Sequence, residues 1–132
     1  LSIAVFVVPT HAETLLFPSC GIINIENITK LSNLVSVDLS GNCISNLYSL
    51  QYADCRFSIT DLNLSGNRLE DITPLSYLQN IERLDVSYND ISSELPFMAM
   101  YSLESLNLTG NPLTDEQVEL IRKNLPNCDV IF

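Results

Sequence analysis

The chain has 132 residues, enough for one domain with a hydrophobic core, and 46% of them are apolar, which excludes an intrinsically disordered protein. Its formal net charge of −10 leaves no basic surface for the phosphates of a nucleic acid or of an anionic membrane. We therefore expect neither nucleic acid nor a membrane surface among its partners.

Residues 1–12 have the features of the end of a secretory signal. Residues 1–8 are uncharged and almost entirely apolar, Pro9 interrupts the run, and Ala12 supplies a small residue for cleavage before Glu13. The run is too short to span a bilayer, so we expect no membrane insertion of the mature chain. The alternative is a buried strand at the edge of a longer solenoid, because the segment also fits the repeat described next.

The main feature of the sequence is an internal repeat that occurs four times. Each copy fits L-x-x-L-x-L-x-x-N-x-L, in which L stands for any aliphatic residue. The copies begin at Leu34, Ile59, Ile81 and Leu103. Their asparagines, 25, 22 and 22 residues apart, are Asn42, Asn67, Asn89 and Asn111. Cys20 stands one repeat length before Asn42, and cysteine commonly replaces asparagine in this motif. We call these five positions the Asn ladder.

The spacing of the repeat predicts both halves of each coil. The two inner apolar residues of a copy face the same side of a short strand, and parallel strands stack about 4.8 Å apart, so these side chains form a continuous core. Between strands, aliphatic residues recur at every third position from Leu69 to Leu84, which predicts a 3₁₀-like arc. The ladder side chains are expected to turn inward and to satisfy backbone groups that the tight turn leaves unpaired.

One repeat is irregular, because three extra residues lie between Asn42 and Asn67, around residues 53–58. We expect a bulge on the convex side at residues 54–56, and we interpret it as a tolerated insertion rather than a functional loop.

The end of the repeats predicts a cap. Residues 114–117, Thr-Asp-Glu-Gln, form a capping box, so a helix is expected to begin there and to end before Pro126. A strand over residues 129–132 then shields the open edge of the last coil.

The four cysteines are not expected to form a regular disulfide framework. The repeat places Cys20 and Cys128 at inward positions of the first and last coils, about 24 Å apart, whereas a disulfide needs Cα atoms within about 7 Å. Cys43 and Cys55 are expected on opposite rims and more exposed. Free thiols fit an oxidising compartment poorly, which is the main argument against secretion.

Two phrases resemble the 22-residue subclass of leucine-rich repeats found in bacterial internalins: Leu-Asn-Leu-Ser-Gly-Asn at residues 62–67 and Ile-Thr-Pro-Leu at 72–75. Residues 111–128 resemble the C-terminal cap of bacterial repeat proteins. The resemblance implies an α/β solenoid: a right-handed coil with a concave parallel sheet, 3₁₀-like convex arcs and a C-terminal capping helix. It also implies protein recognition on the concave sheet.

This frame divides the chain into a signal remnant and one leucine-rich-repeat domain over residues 13–132. Within the domain we expect an N-terminal cap at 13–33, repeats at 34–113 and a C-terminal cap at 114–132.

The outward positions of the strands are the candidate partner-binding surface. Tyr88 stands where the other clear copies have glycine, and an exposed tyrosine offers the aromatic anchor that interfaces favour. The other candidates are Ser36, Asp38, Asp61, Asn63, Arg83, Asp85, Ser105 and Asn107.

The sequence lacks the residue patterns of an enzyme. His11 is the only histidine and lies in the predicted signal, so no histidine-dependent triad remains, and there is no phosphate-binding loop. We expect no cofactor and no dedicated metal site, although the aligned Asp38 and Asp85 leave calcium as an alternative. The function predicted is a monomeric, secreted or cell-surface protein-binding module. The alternatives are an intracellular scaffold or regulatory subunit, and a structural spacer in a larger surface protein.

Overall fold

The computed structural model describes residues 11–132. The predicted signal segment, residues 1–12, lies outside the described residues except for His11 and Ala12. Six short parallel strands form one sheet in which every strand pairs with its neighbours in chain order. The strands are β1 Thr14–Leu16, β2 Ser36–Asp38, β3 Asp61–Asn63, β4 Arg83–Asp85, β5 Ser105–Asn107 and β6 Asp129–Ile131.

The register of the sheet stacks identical repeat positions. Val37 lies opposite Leu62, which lies opposite Leu84, and Leu106 continues the row. All of these side chains are buried, because the period of two sends the middle residue of each strand inward. The predicted solenoid and its apolar core are therefore confirmed.

The return arcs are 3₁₀ helices, as the spacing of three predicts. Each regular arc buries one large side chain at the same place: Ile28, Leu50, Leu75 and Phe97. A polar side chain before each arc accepts a hydrogen bond from the backbone N–H two residues later, which starts the turn. The arcs are Glu26–Lys30, Tyr48–Tyr52, Thr73–Tyr77 and Leu95–Ala99.

The asparagines of the Asn ladder hold consecutive coils together. Asn67 shows the pattern: its Oδ1 accepts a hydrogen bond from the Ile44 N–H of the preceding coil at 3.0 Å. Its Nδ2 donates to the carbonyl of Leu39 in that coil and to the carbonyl of Leu64 in its own coil, each at 3.0 Å. Asn42, Asn89 and Asn111 repeat this arrangement and are likewise buried.

Cys20 occupies the first ladder position but does not act as an asparagine. It is half-buried, and its Sγ contacts the Pro18 carbonyl at 3.3 Å. Cysteine lacks the carboxamide group through which the asparagines bond a neighbouring coil. Instead, the Cys20 N–H donates to Asn42 Oδ1 at 2.9 Å, so the first coil is tied to the solenoid from the second.

The C-terminal cap contains the helix α1, Asp115–Asn124. Thr114 and Gln117 form the predicted capping box, in which each side chain accepts the other's backbone N–H. The strand that follows differs from the expected register: Leu106 lies opposite Val130, not Cys128. The reason is that the helix takes more residues than the 3₁₀ arc it replaces, which displaces the last strand by two positions.

The expected burial of the cysteines is wrong for Cys20, Cys55 and Cys128. All four are free thiols, but Cys55 is fully buried, whereas Cys20, Cys43 and Cys128 are half-buried. The three extra residues do not form an open bulge: they form an additional 3₁₀ helix, Asp54–Phe57, which turns Cys55 into the core. Its Sγ lies 3.8 Å from the Ile28 carbonyl.

Because Cys55 is buried, we predict that it is the cysteine that reacts most slowly with alkylating reagents. Desolvation raises the pKa of its thiol to about 11, so at pH 8 only about 0.1% is thiolate. During native-state alkylation with iodoacetamide at that pH, mass spectrometry should find Cys43 labelled at least about tenfold faster than Cys55. In denaturant all four cysteines should react at similar rates. Equal labelling of Cys43 and Cys55 in the native protein would contradict the buried position.

Candidate protein-binding surface

Two columns of side chains point outward from the concave sheet, one on each side of the buried middle row. The first column contains Thr14, Ser36, Asp61, Arg83, Ser105 and Asp129. The second column contains Leu16, Asp38, Asn63, Asp85, Asn107 and Ile131, and all six line one shallow depression. The structure thus brings together every sequence-predicted surface residue except Tyr88, which lies beyond the ends of the strands.

The polar residues of the second column also shape the strand ends. Asp38 Oδ1 accepts the Ser40 N–H at 2.9 Å, and Asp85 Oδ1 accepts the Ser87 N–H at 2.9 Å. Asn63 and Asn107 accept the backbone N–H two residues later in the same way. A carboxylate and a carboxamide serve this role equally, because each offers one oxygen to the turn. Asn107 Nδ2 also donates to Asp85 Oδ2 at 3.4 Å, which links two neighbouring strands of the column.

Arg83 is held by carboxylates of its own chain. Its Nε pairs with Asp61 Oδ1, and its Nη2 lies 3.1 Å from Asp61 Oδ2 and 3.2 Å from Glu82 Oε2. Glu104 approaches Nη1 at 3.6 Å. The guanidinium is half-exposed but has its charge already balanced. A hydrogen bond from Arg83 holds the pKa of the Asp61 carboxyl below its ordinary value of 3.8.

This pair has a predictable pH dependence. Because the folded-state pKa of Asp61 is lowered, its contribution to stability is present above about pH 4 and is lost as the pH falls through the folded-state pKa. Urea unfolding of Asp61→Asn should therefore show a shallower decline of unfolding free energy below pH 4 than the parent protein. The two curves should differ most at neutral pH, by a small amount, since the pair is partly exposed. A constant difference down to pH 2 would contradict the pairing.

Tyr88 occupies a backbone position built for glycine. Its φ is 53°, in the left-handed region, where the equivalent Gly41, Gly66 and Gly110 also lie. A side chain costs about 1–2 kcal/mol there. The ring lies over Gly110, so close that a Cβ added at Gly110 would be 2.5 Å from Tyr88 Cδ1. The side chain is still 65% exposed and forms an aromatic platform at the rim of the sheet.

The sequence interpretation missed the apolar ends of the second column. Leu16 is 63% exposed and Ile131 is 48% exposed, each at the position that Asp or Asn takes in the four strands between them. Leu16 was within reach of sequence analysis, because it lies one repeat length before Asp38. The displacement of β6 hid the position of Ile131.

Two other kinds of site are absent from residues 11–132. No cluster of three or more His, Cys, Asp or Glu side chains in that range is arranged to hold a metal ion. None of the helices described there has the length and apolarity needed to cross a membrane.

Comparison with known proteins identifies the repeats. One family model described as leucine-rich repeat matches residues 30–47, 77–94 and 102–121, and a second with the same description matches residues 46–79. The chain is 34% identical over 84 residues to the acidic leucine-rich nuclear phosphoprotein 32 family member A of Drosophila melanogaster, covering 61% of the chain and 31% of that protein. It is 34% identical over 89 residues to the protein BRASSINOSTEROID INSENSITIVE 1 of Arabidopsis thaliana, covering 66% of the chain and 7% of that protein.

Solved structures show the same architecture. An internalin (inlF) of Listeria monocytogenes matches with a TM-score of 0.75 at 27% identity, over 84% of this chain and 32% of that one. A leucine-rich-repeat protein of Leptospira interrogans matches with a TM-score of 0.73 at 28% identity, over 84% of this chain and 29% of that one. The chain spans less than a third of the length of each of these relatives. With its repeats, register and cap, the chain belongs to the leucine-rich-repeat family and has an internalin-like fold.

Proposed function

We propose that this chain is a protein-binding module that recognises its partner on the concave sheet. The observation that carries the proposal is the uncovered surface of the two outward columns, which continues across all six strands, with the exposed Tyr88 beyond the end of β4. Leucine-rich repeats indicate a protein-binding module, and the sheet is where this one presents aligned polar groups. The residues proposed for contact are Ser36, Asp38, Asp61, Asn63, Arg83, Asp85, Tyr88, Ser105 and Asn107.

We assign the module no catalytic step. Three carboxylates line the depression. Asp61 is paired with Arg83, and Asp38 and Asp85 lie two strands apart and each hold a backbone N–H. This is the behaviour of side chains that shape a surface. The depression itself is shallow and open, which suits contact with a macromolecule better than enclosure of a small substrate.

Within this proposal the module is a monomer that acts outside the cell or at its surface. The apolar run at residues 1–8 and the likeness to an internalin support this location. The second candidate is an intracellular scaffold or regulatory subunit. Four free cysteines and the similarity to a nuclear phosphoprotein favour that candidate.

The N-terminal residue of the protein isolated from its native source separates the two candidates. Secretion predicts that the mature protein appears in the medium or at the cell surface and begins at Glu13. An isolated protein that retains residues 1–12 and remains in the cell would support the intracellular candidate.

The binding face is tested by a pair of matched double variants. Tyr88→Ala with Ser105→Arg alters the concave side, and Tyr77→Ala with Ser76→Arg makes the same changes at exposed convex positions. After a partner has been identified by cross-linking in the native source, its affinity for the concave variant should fall at least about tenfold, which corresponds to about 1.4 kcal/mol. The convex variant should bind as the parent protein does.

Circular dichroism melts serve as the control, because both variants must fold for the comparison to count. A larger loss of affinity in the convex variant would place the binding face on the arcs and would refute the proposal.

A further inference from the structure

We propose that the occupant of the concave sheet is an extended basic peptide segment with an apolar residue at each end, lying along the second column across the strands. The inference deepens the proposed function and rests on it. It follows from the order of side chains in that column: Leu16, Asp38, Asn63, Asp85, Asn107, Ile131.

The charge of the sheet face fits a basic partner. Arg83 is the only cation in the two columns, and Asp61, Glu82 and Glu104 already balance it. Within residues 11–132, neither Asp38 nor Asp85 forms an ion pair. Both carboxylates line the depression. Asp38 has one oxygen committed to the Ser40 N–H, whereas Asp85 Oδ1 accepts from the Ser87 N–H and Oγ and its Oδ2 accepts from Asn107 Nδ2 at 3.4 Å. These partners are neutral, so an incoming lysine or arginine meets two carboxylates that no cation balances.

The ends of the column fit apolar side chains. Leu16 and Ile131 are large, exposed and aligned with the polar residues between them, whereas the first column has Thr14 and Asp129 at its ends. A ligand that covers both removes apolar surface from water at each end of its contact. The two carboxylates lie between these apolar contacts. A complementary segment therefore has apolar residues at its ends and basic residues between them.

Strand spacing sets the length of that segment. At about 4.8 Å per strand, Asp38 and Asp85 are about 10 Å apart, and Leu16 and Ile131 about 24 Å apart. An extended peptide rises about 3.3 Å per residue and presents alternate side chains to one face. Nine residues therefore span the column, with apolar side chains at positions 1 and 9. Basic side chains at positions 3 and 5 are the same-face positions nearest to Asp38 and Asp85; they are about 6.6 Å apart, and the long flexible lysine side chain covers the difference of about 3 Å.

The same features argue against other occupants. A second copy of the chain would bring another net charge of −10 to an acidic face. Nucleic acid would meet the same repulsion from its phosphates. A protein segment that carries lysine or arginine is instead attracted to this acidic face.

The proposal is tested by measuring whether a synthetic peptide binds to the whole chain. The probe is acetyl-Leu-Ser-Lys-Ser-Lys-Ser-Gln-Ser-Leu-amide with a fluorophore on its C-terminal amide, and its binding is followed by fluorescence anisotropy. We expect a Kd below about 1 mM. Affinity should fall at least about threefold when NaCl is raised from about 0.05 M to about 0.5 M, because exposed charges are screened. The matched peptide with glutamate in place of both lysines should not bind.

The decisive protein variant is Asp38→Asn with Asp85→Asn. Asparagine already serves in this column at Asn63 and Asn107, so the backbone contacts are retained while both charges are removed. The Kd for the lysine peptide should rise at least about tenfold. The control, Asp54→Asn with Glu70→Gln, changes the net charge equally at exposed positions away from the sheet and should leave the Kd within about twofold.

A second variant tests the apolar ends. Leu16→Ser with Ile131→Ser should weaken binding at least about threefold without altering its dependence on salt. Equal effects of the charge variant and its control, or binding of the glutamate peptide, would overturn the proposal by reducing it to nonspecific charge. No binding of the lysine peptide overturns it as well. If the concave double variant still loses its native partner in that case, the proposed function stands and only the basic segment is wrong.

Discussion

Replacing Asn89 with Ala should lower the free energy of unfolding by about 1–3 kcal/mol or more, because it leaves buried backbone groups of two coils unpaired. Asn89 Nδ2 donates to the carbonyls of Leu64 and Val86, each at 3.0 Å, and Oδ1 accepts the Leu69 N–H at 2.9 Å. Alanine replaces none of these bonds, and the site is too buried for water to do so freely. Urea unfolding monitored by circular dichroism measures the effect.

The control for this variant is Asn46→Ala. Asn46 is exposed, and its side chain accepts one hydrogen bond, from the Tyr48 N–H at 2.8 Å. Water can take its place, so the expected loss is below about 1 kcal/mol. A loss of less than about 0.3 kcal/mol in Asn89→Ala would show that the ladder does not support the fold, since that is far below the cost of an unpaired buried group.

Replacing Phe97 with Ala should have the largest effect of any single change considered, about 3–5 kcal/mol. Phe97 has no solvent exposure and is the largest fully buried side chain among the described residues. It takes the place that Leu75 and Leu50 hold in earlier arcs, and its arc contacts the capping helix α1. Its removal leaves a cavity inside the last arc. Chemical denaturation followed by circular dichroism measures the loss.

Two further variants separate burial from chemistry at Phe97. Phe57→Ala makes the same substitution at a side chain that is 49% exposed and should cost much less, about 1 kcal/mol or below. Phe97→Leu restores the residue of the neighbouring arcs and should recover most of the stability, because a smaller cavity remains. If Phe97→Ala were no worse than Phe57→Ala, the assignment of Phe97 to the core would be wrong.

Phe97 also matters for the proposed binding surface. Because the last arc contacts α1 and α1 leads into β6, we expect a cavity inside that arc to loosen Ile131 at the end of the second column. We therefore expect Phe97→Ala to weaken binding of the basic peptide even though Phe97 is remote from the sheet face.

The regular part of the molecule could be predicted from the sequence because every coil has the same pattern of apolar and asparagine positions. Four copies of one pattern place Val37, Leu62, Leu84 and Leu106 inward, and the register pairs them in that order. The outward columns follow from the same period of two, so the candidate surface from Ser36 to Asn107 was predicted without coordinates.

The irregular parts depended on tertiary packing. The sequence shows three extra residues near Cys55, but only the structure shows that this segment forms another 3₁₀ helix, which packs on the neighbouring arcs and buries the thiol. Likewise, a cysteine at the first ladder position matches the motif, yet its side chain lacks the groups that bond a neighbouring coil.

The charge environment of the surface was only partly open to prediction. The repeat register places Asp61 beside Arg83, and the structure shows the ion pairs that Arg83 forms with Asp61, Glu82 and Glu104 from three adjacent coils. By itself, the sequence determined the coil, its core and the faces of its strands, since these depend on local periods. Only the tertiary structure decided the position of Ile131 and the burial of Cys55. Each of these depends on how one irregular segment packs against coils that are distant in the chain, for which a local period carries no information.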